Sequence, residues 1–334
     1  MYKITTIGGD GIGPEVMEGA IAILEILDLN FDFIEMEAGK GCLKKNGTTI
    51  PEETIKSAKK SHATLFGAIT TVDNEKSPII VLRKNLDVYG NLRPVKSFEG
   101  IDCLYPNLEF YIVRENTEGL YCEIEYCCED EKTAVSHRVI TKKASEKIID
   151  FTFKQASENK REKVTCIHKA NVLKKTDGLF KKIFYKIAKN YPNIKAEDYY
   201  VDAMAMYLVQ KPEDFDYIVT TNLFGDILSD EAAGLVGGLG LAPSGNIGDK
   251  HGLFEPVHGS APDIAGKKIS NPIAMILSSA MMLDFLNEKY YANQIRIAVE
   301  NVLKKKKIAT PDLGGCDKTM DVANAVINEL KNVL

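Results

Sequence analysis

Asp226 and Asp230 lie four residues apart in the run Asn222-Leu-Phe-Gly-Asp-Ile-Leu-Ser-Asp230. The stretch after Gly225 reads as a helix, and spacing i, i+4 places both carboxylates on one face within about 6 Å. Two like charges so close repel, and a site that needs both supplies a cation. Hard oxygen donors without a neighbouring His or Cys cluster suit Mg2+ or Mn2+ better than zinc. The alternative is a solvated helix start, where the helix dipole favours acids.

Three arginines add a second chemistry. Arg83, Arg93 and Arg114 each sit beside an apolar or turn segment, in Leu82-Arg-Lys, Asn91-Leu-Arg-Pro94 and Val113-Arg-Glu-Asn. A planar guanidinium pairs bidentately with a carboxylate, and several in an acidic chain suit a polycarboxylate or phosphate ligand; singly, each also reads as a surface ion pair. Lys169 follows the apolar strand 164–168, where an ammonium can be tuned to act as a base. Asp202 is a similar carboxylate at the end of a strand read at 199–202. The stretch Glu255-Pro-Val-His-Gly-Ser-Ala-Pro-Asp263 is loop-like. His258, Ser260, Asp263 and the backbone there could hold a phosphorylated cofactor, or form an ordinary loop.

Gly8-Gly-Asp-Gly-Ile-Gly-Pro14 follows a strand and opens a helix, the context of a dinucleotide fingerprint. Its glycines fall as G-x-G-x-G, with Pro14 where the third glycine belongs, so a Rossmann domain is rejected. A tight glycine turn that lets backbone approach something closely remains.

These residues need elements to hold them. Apolar segments alternate with amphipathic ones, which predicts an α/β protein. Strands are expected at 3–7, 31–36, 63–67, 110–114, 164–168, 199–202 and 217–221. Helices are expected at 14–27, 51–60, 143–158, 177–190, 224–236, 272–287, 291–304 and 320–333. The segment 121–139 is acidic, cysteine-bearing and out of rhythm, and is expected to project as an arm.

The 334 residues suffice for two domains. Hydrophobic residues at 45% and charged residues at 27% are ordinary for a soluble globular protein. A net charge of −5 offers no basic field for nucleic acid, and no apolar run is long enough for a membrane span. Met1 leads directly into a strand without a signal-peptide pattern, so a cytoplasmic protein is expected. Cys122, Cys127 and Cys128 lack the paired spacing of a zinc site and are expected to be reduced thiols, their role unassigned.

Taken together, the chain resembles the β-decarboxylating hydroxyacid dehydrogenases: the isocitrate, 3-isopropylmalate and homoisocitrate enzymes. The resemblance runs its whole length through Gly9-Asp-Gly-Ile-Gly-Pro-Glu15, Asn91-Leu-Arg-Pro94, Arg114-Glu-Asn-Thr-Glu-Gly-Leu-Tyr121, Lys169-Ala-Asn171, Val201-Asp-Ala-Met204, Asn222-Leu-Phe-Gly-Asp-Ile-Leu-Ser-Asp230 and His258-Gly-Ser-Ala-Pro-Asp263. It implies a non-Rossmann α/β fold with two domains sharing a large mixed sheet. Residues 1–88 and 238–334 would form the cofactor domain, and 89–237 an inserted substrate and dimerisation domain with its arm near 121–139. It also implies a homodimer with a shared active site, and tetramers are an open alternative.

The resemblance assigns roles residue by residue. Ser77, Ile79, Arg83, Arg93, Arg114, Tyr121, Lys169 and Asn171 would bind a small 2-hydroxy di- or tricarboxylate. Asp226 and Asp230, with Asp202 from the partner, would bind Mg2+ or Mn2+. Lys169 would act as base, alone or with Asp202 or water, and Tyr121 as the acid that protonates carbon. Ile12, Asn222, Glu255, His258, Gly259, Ser260, Ala261, Asp263, Ile264 and Asn271 would surround the cofactor. Asp263 with Ile264 favours NAD, because a carboxylate binds the ribose hydroxyls and repels the extra phosphate of NADP.

The implied reaction is oxidative decarboxylation of a 3-substituted malate, in amino-acid or cofactor biosynthesis. Ile79 stands where isocitrate enzymes carry an Asn, and the Ser77-Pro-Ile-Ile80 stretch looks most like homoisocitrate enzymes, with isopropylmalate enzymes next and isocitrate enzymes third. Two other classes fit these residues less well. A non-catalytic regulatory subunit would lack parts of the site, and here every part is present. A two-lobed solute-binding protein would want a signal peptide and no pairing of base and metal ligands.

Overall fold

The computed structural model describes residues 1–129 and 132–334. In chain order the elements begin β1 (Tyr2–Gly9), α1 (Gly13–Glu25), β2 (Phe31–Glu35), α2 (Lys40–Asn46), α3 (Glu52–Lys60), β3 (Ala63–Ala68) and α4 (Pro78–Asn85). There follow β4 (Gly90–Lys96), β5 (Glu109–Glu115), β6 (Glu125–Cys127), β7 (Ala134–Ser136), α5 (Lys142–Glu158), β8 (Lys163–His168) and α6 (Thr176–Ala188). The remainder is β9 (Lys195–Tyr200), α7 (Val201–Gln210), β10 (Tyr217–Thr220), α8 (Asn222–Leu235), β11 (Pro243–Ile247), β12 (Gly252–Pro256), α9 (Ile273–Phe285), α10 (Lys289–Lys305) and α11 (Thr319–Val333).

The chain divides into two compact units: Met1–Val88 with Lys96–Asn107 and Ala233–Leu334, and Tyr89–Val95 with Leu108–Ala232. In the first unit the strands run in the order β2-β1-β3-β12-β11. β1 pairs in parallel with β2 and β3, while β11 and β12 pair antiparallel, so this sheet is mixed. β3 is buried along its whole length, which its continuous apolar run Ala-Thr-Leu-Phe-Gly-Ala requires. Ile7, Phe66, Leu82, Leu86, Val88 and Leu253 pack one side of the core. Helix α9 is apolar all round, and every residue from Ile273 to Leu283 is buried.

In the second unit the order is β4-β5-β10-β8-β9. β10 pairs in parallel with β5 and β8, and β8 with β9. Ile148, Ile149 and Phe153 of α5 and Phe180, Ile183 and Phe184 of α6 pack on Val113, Val164 and Val219 of the sheet. Parallel strands leave their C-terminal ends together: Arg114-Glu115 end β5, Lys169 follows β8, and Thr221-Asn222 follow β10.

Two expectations change. Val201 and Asp202 open helix α7 instead of ending a strand; Met204 and Leu208, four apart and buried, show the period that decides it. Asp202 therefore lies in a first helical turn, where an acid is favoured by the helix dipole. Residues 96–107, expected inside the insertion, belong to the first unit. Lys96 pairs with Glu300 at 2.6 Å and Lys304 with Glu99 at 2.8 Å. Gly100, at φ +99°, lies so close to the Leu303 carbonyl that a Cβ would stand 2.2 Å from its oxygen.

The arm expected at 121–139 includes Asp130 and Glu131, which lie outside the described residues. On either side β6 and β7 form an antiparallel pair, Glu125 opposite Ser136, with Ile124 and Tyr126 exposed. The cysteines are not joined in disulfides. Among the described residues no helix is long and apolar enough to cross a membrane.

Candidate active site

Helix α8 carries Asp226 and Asp230 one turn apart, and two buried guanidinium groups hold them. Arg114, 1% exposed at the end of β5, donates from Nε at 2.9 Å and Nη2 at 2.7 Å to Asn222 Oδ1, and from Nη1 to Asp226 Oδ1. Gly225 allows this approach, since a Cβ there would lie 2.6 Å from Arg114 Cβ. Tyr121 donates its hydroxyl to Asp226 Oδ2 at 2.6 Å, and the Arg114 guanidinium lies 5.0 Å from the Tyr121 ring centre.

Arg93, on β4, donates to Asn91 Oδ1 at 2.7 Å and Ser229 Oγ at 2.5 Å. It stands 3.4 Å from both Asp226 and Asp230. The two arginines thus offset the repulsion between the acids. Burial nevertheless pushes the Asp230 carboxyl up; Arg93 opposes this and Asp226 adds to it. A pair of carboxylates one turn apart, one of them held up in pKa by burial and its neighbour's charge, fits a hard divalent cation.

Lys169 directly follows β8. Its Nζ donates to Asp202 Oδ1 at 2.5 Å, and this bond holds the Asp202 carboxyl below its ordinary range. His168, wholly buried, accepts the Ala170 N–H on Nδ1 at 3.1 Å and donates from Nε2 to Asp198 Oδ2 at 2.8 Å. Asn171 is exposed. Among the described residues no three His, Cys, Asp or Glu side chains gather as a metal site, so Asp202 does not join Asp226 and Asp230 within one chain.

In the first unit Arg83 and Glu255 form a buried pair, Nη2 to Oε1 at 2.8 Å, and Asn246 Nδ2 donates to the same oxygen at 2.8 Å. Arg83 Nε is buried without a partner. Ser77 is the residue before the first turn of α4, and Ile79 packs against the core cluster one turn before Arg83.

The glycine turn finds its partner in the 255–263 loop. Gly11 has φ +60°, and a Cβ there would stand 1.9 Å from the Ser260 carbonyl oxygen, which accepts the Ile12 N–H at 2.9 Å. Ser260 Oγ bonds Thr70 Oγ1 at 2.8 Å, and Ala261 is held at φ +38°. His258 donates from Nδ1 to the Gly259 carbonyl at 3.0 Å, which leaves Nε2 a buried acceptor without a partner. Burial lowers its pKa, so the ring is neutral. A side-chain atom added at Gly259 would meet nothing, and Asp263 is exposed. An unfilled buried acceptor beside an open glycine and an exposed carboxylate fits a nucleotide cofactor.

Two residues expected at the cofactor are engaged in other ways. Asn222 is 1% exposed; its oxygen serves Arg114 and its Nδ2 donates to the Glu118 carbonyl at 3.1 Å. Asn271 accepts the Ile273 N–H at the start of α9 and donates to Asp312, each at 3.0 Å.

Glu115 and Glu118 were not singled out in the sequence, although acids three apart between Arg114 and Tyr121 are a signal. Both are buried. Glu115 accepts the Thr117 and Glu118 N–H groups at 2.7 and 3.0 Å, and Glu118 accepts the Thr141 N–H at 2.8 Å at the head of α5. Burial pushes Glu118 up to about 7. An acid raised in this way contributes stability that is fully present below its unfolded pKa, near 4.5, and lost as pH rises through about 7. Glu118→Gln should therefore flatten the fall in urea midpoint between pH 5 and pH 8. At pH 8 it should gain on the order of 1–2 kcal/mol relative to the wild type. An unchanged slope would show that Glu118 is ionised throughout.

The isocitrate/isopropylmalate dehydrogenase family profile matches residues 3–326. The chain is 55% identical over 331 residues to the 3-isopropylmalate dehydrogenase of Methanothermobacter thermautotrophicus, covering 99% of each. It is 54% identical over 350 residues to the homoisocitrate dehydrogenase of Methanocaldococcus jannaschii, covering 100% of this chain and 99% of that one. The crystal structure of isocitrate dehydrogenase from Methylococcus capsulatus superposes with a TM-score of 0.96 at 45% identity, covering 99% of this chain and 100% of that one. With this fold and this constellation of arginines, aspartates and lysine, the chain belongs to the isocitrate/isopropylmalate dehydrogenase family and is a β-decarboxylating dehydrogenase.

Proposed function

We propose that the protein oxidises and decarboxylates a 3-substituted malate, using NAD and Mg2+ or Mn2+, and that two copies share each active site. The observation that carries this reading is the convergence of Arg93, Arg114 and Tyr121 on the Asp226–Asp230 pair. When bound, the metal and NAD supply charge stabilisation for a developing oxyanion and a hydride acceptor. Asp226 and Asp230, with Asp202 of a partner subunit, are the metal's ligands. The proposed cofactor contacts are made by Ile12 and the 255–264 loop, with His258 Nε2 accepting a hydrogen bond and Asp263 the ribose hydroxyls.

Arg83, Arg93 and Arg114 bind the substrate carboxylates. Lys169, paired with Asp202, removes the hydroxyl proton as hydride leaves. Carbon dioxide then departs, and Tyr121 returns a proton to carbon. Among the described residues of one chain Asp202 does not gather with Asp226 and Asp230, and this supports a site completed by a second copy.

The substrate follows from the Ser77–Ile80 stretch, which is apolar after its serine. With Ile79 there is no amide for a short carboxylate arm, and homoisocitrate-type or isopropylmalate-type substituents suit it better than isocitrate. The purified protein should produce NADH from 3-isopropylmalate and homoisocitrate with higher kcat/KM than from isocitrate. Since one methylene is worth about 1–3 kcal/mol, secondary substrates should differ by about 10- to 100-fold rather than vanish. A preference for isocitrate above about tenfold would reverse the ordering. No NADH from any of the three acids would favour a regulatory subunit.

A further inference from the structure

Asp177, buried and with no assigned role, grips the backbone of Lys169, and the largely buried Arg138 pairs with it. The peptide N–H of Lys169 donates to Asp177 Oδ2 at 2.6 Å. Asp177 lies in the first turn of α6 and is wholly buried. Its other oxygen pairs with Arg138 Nη1, which also reaches Thr176 Oγ1 at 3.0 Å. Arg138 Nη2 donates to Thr221 Oγ1 at 2.8 Å, and the guanidinium lies 5.1 Å from the Phe224 ring centre. The residue after Arg138, Val139, exchanges backbone hydrogen bonds with Gly119 at 2.9 and 3.3 Å, two residues before Tyr121.

A buried ion pair is a poor way to gain stability, because desolvation cancels most of the attraction. This pair spends its second carboxylate oxygen on one peptide, the first after β8, and that peptide sets where the Lys169 side chain starts. The opposite face of the same turn is held by His168, which accepts the next N–H, that of Ala170. Resting on the reading of Lys169 as the base, we propose that Asp177 and Arg138 are positioning residues for it. Asp177 clamps the Lys169 peptide, and Arg138 holds the clamp in its orientation while tying it to the segment that bears Tyr121.

The test is Asp177→Asn in the full-length protein. Asparagine has one acceptor oxygen, so it can satisfy the Lys169 N–H or the Arg138 fork, not both. A shift of the base by about 1 Å can cost about 100-fold in rate. The expected result is a fall in kcat of about 10- to 100-fold with substrate KM within about threefold. Amide hydrogen exchange should rise at Lys169 while β8 keeps its protection. Arg138→Lys, which keeps the charge but loses the fork, should fall between wild type and Arg138→Met, and serves in its place if Asp177→Asn does not fold.

A folded Asp177→Asn protein with kcat within twofold of the wild type, or with unchanged exchange at Lys169, overturns the proposal. A fall in melting temperature with both readouts unchanged reduces Asp177 to a structural residue. The wild-type assay judges the functional reading separately. If the wild type makes no NADH, exchange at Lys169 alone decides the clamp.

Discussion

Asp226→Asn should lose at least about 1,000-fold in kcat at saturating Mg2+ and yet remain folded and associated. Metal stabilisation of a developing oxyanion is worth several kcal/mol, and each 1.4 kcal/mol is a factor of ten in rate. Asparagine keeps the size of the side chain and one acceptor for Arg114 or Tyr121, but removes the charge a divalent ion needs. The structural cost is small by comparison. Arg114 retains two bonds to Asn222 Oδ1, and Arg93 retains Asn91 and Ser229. The Asp226 side chain is 36% exposed, so the freed guanidinium edge can be hydrated and the stability loss should stay near 1–2 kcal/mol. NADH production across a Mg2+ titration, with gel filtration and a thermal melt, separates the two effects. Turnover close to the wild type would remove the metal assignment.

Asp226 could be singled out in advance because its signal is local. A four-residue spacing in a helical stretch decides which side chains share a face, and nothing distant alters that. The same holds for Lys169, which the apolar run 164–168 delivers to a strand end. What failed to show were pairings between residues far apart in sequence. Arg83 reaches Glu255 and Gly11 meets Ser260 only after both segments join the first unit's sheet, and no periodicity in either segment encodes the meeting. The glycine turn was legible as a close approach to something, and the partner is the protein's own loop.

Asp202 shows a different failure. Tyr-Tyr-Val favours a strand locally, and the helical period that overrules it begins only after the aspartate, with Met204 and Leu208. The place of Asn222 in its motif suggests a cofactor contact and says nothing of its bonds within the chain. Its carbonyl oxygen serves Arg114, which a motif match has no means of showing.

Mixing two inactive variants should restore activity if the site is shared, and this gives a large effect from a starting point near zero. Lys169→Ala should lose about 100- to 10,000-fold through the missing base, and Asp226→Asn is dead through the missing metal ligand. In a homodimer whose sites each take Asp226 from one copy and Lys169 from the other, a hybrid of the two variants has one site with both defects and one with none. Random pairing makes about half the dimers hybrid, each with one working site of two, so the mixture should reach about a quarter of wild-type activity. If Lys169 and Asp226 act within the same chain, every site in every dimer keeps one defect and the mixture stays inactive. Within one chain Lys169 is bonded to Asp202, while Tyr121, Arg93 and Arg114 gather at Asp226. Co-expressing the two variants with different tags and assaying doubly purified dimers sharpens the figure to about half of wild-type activity per dimer. Hybrids as inactive as their parents would place the base and the metal ligands in one subunit.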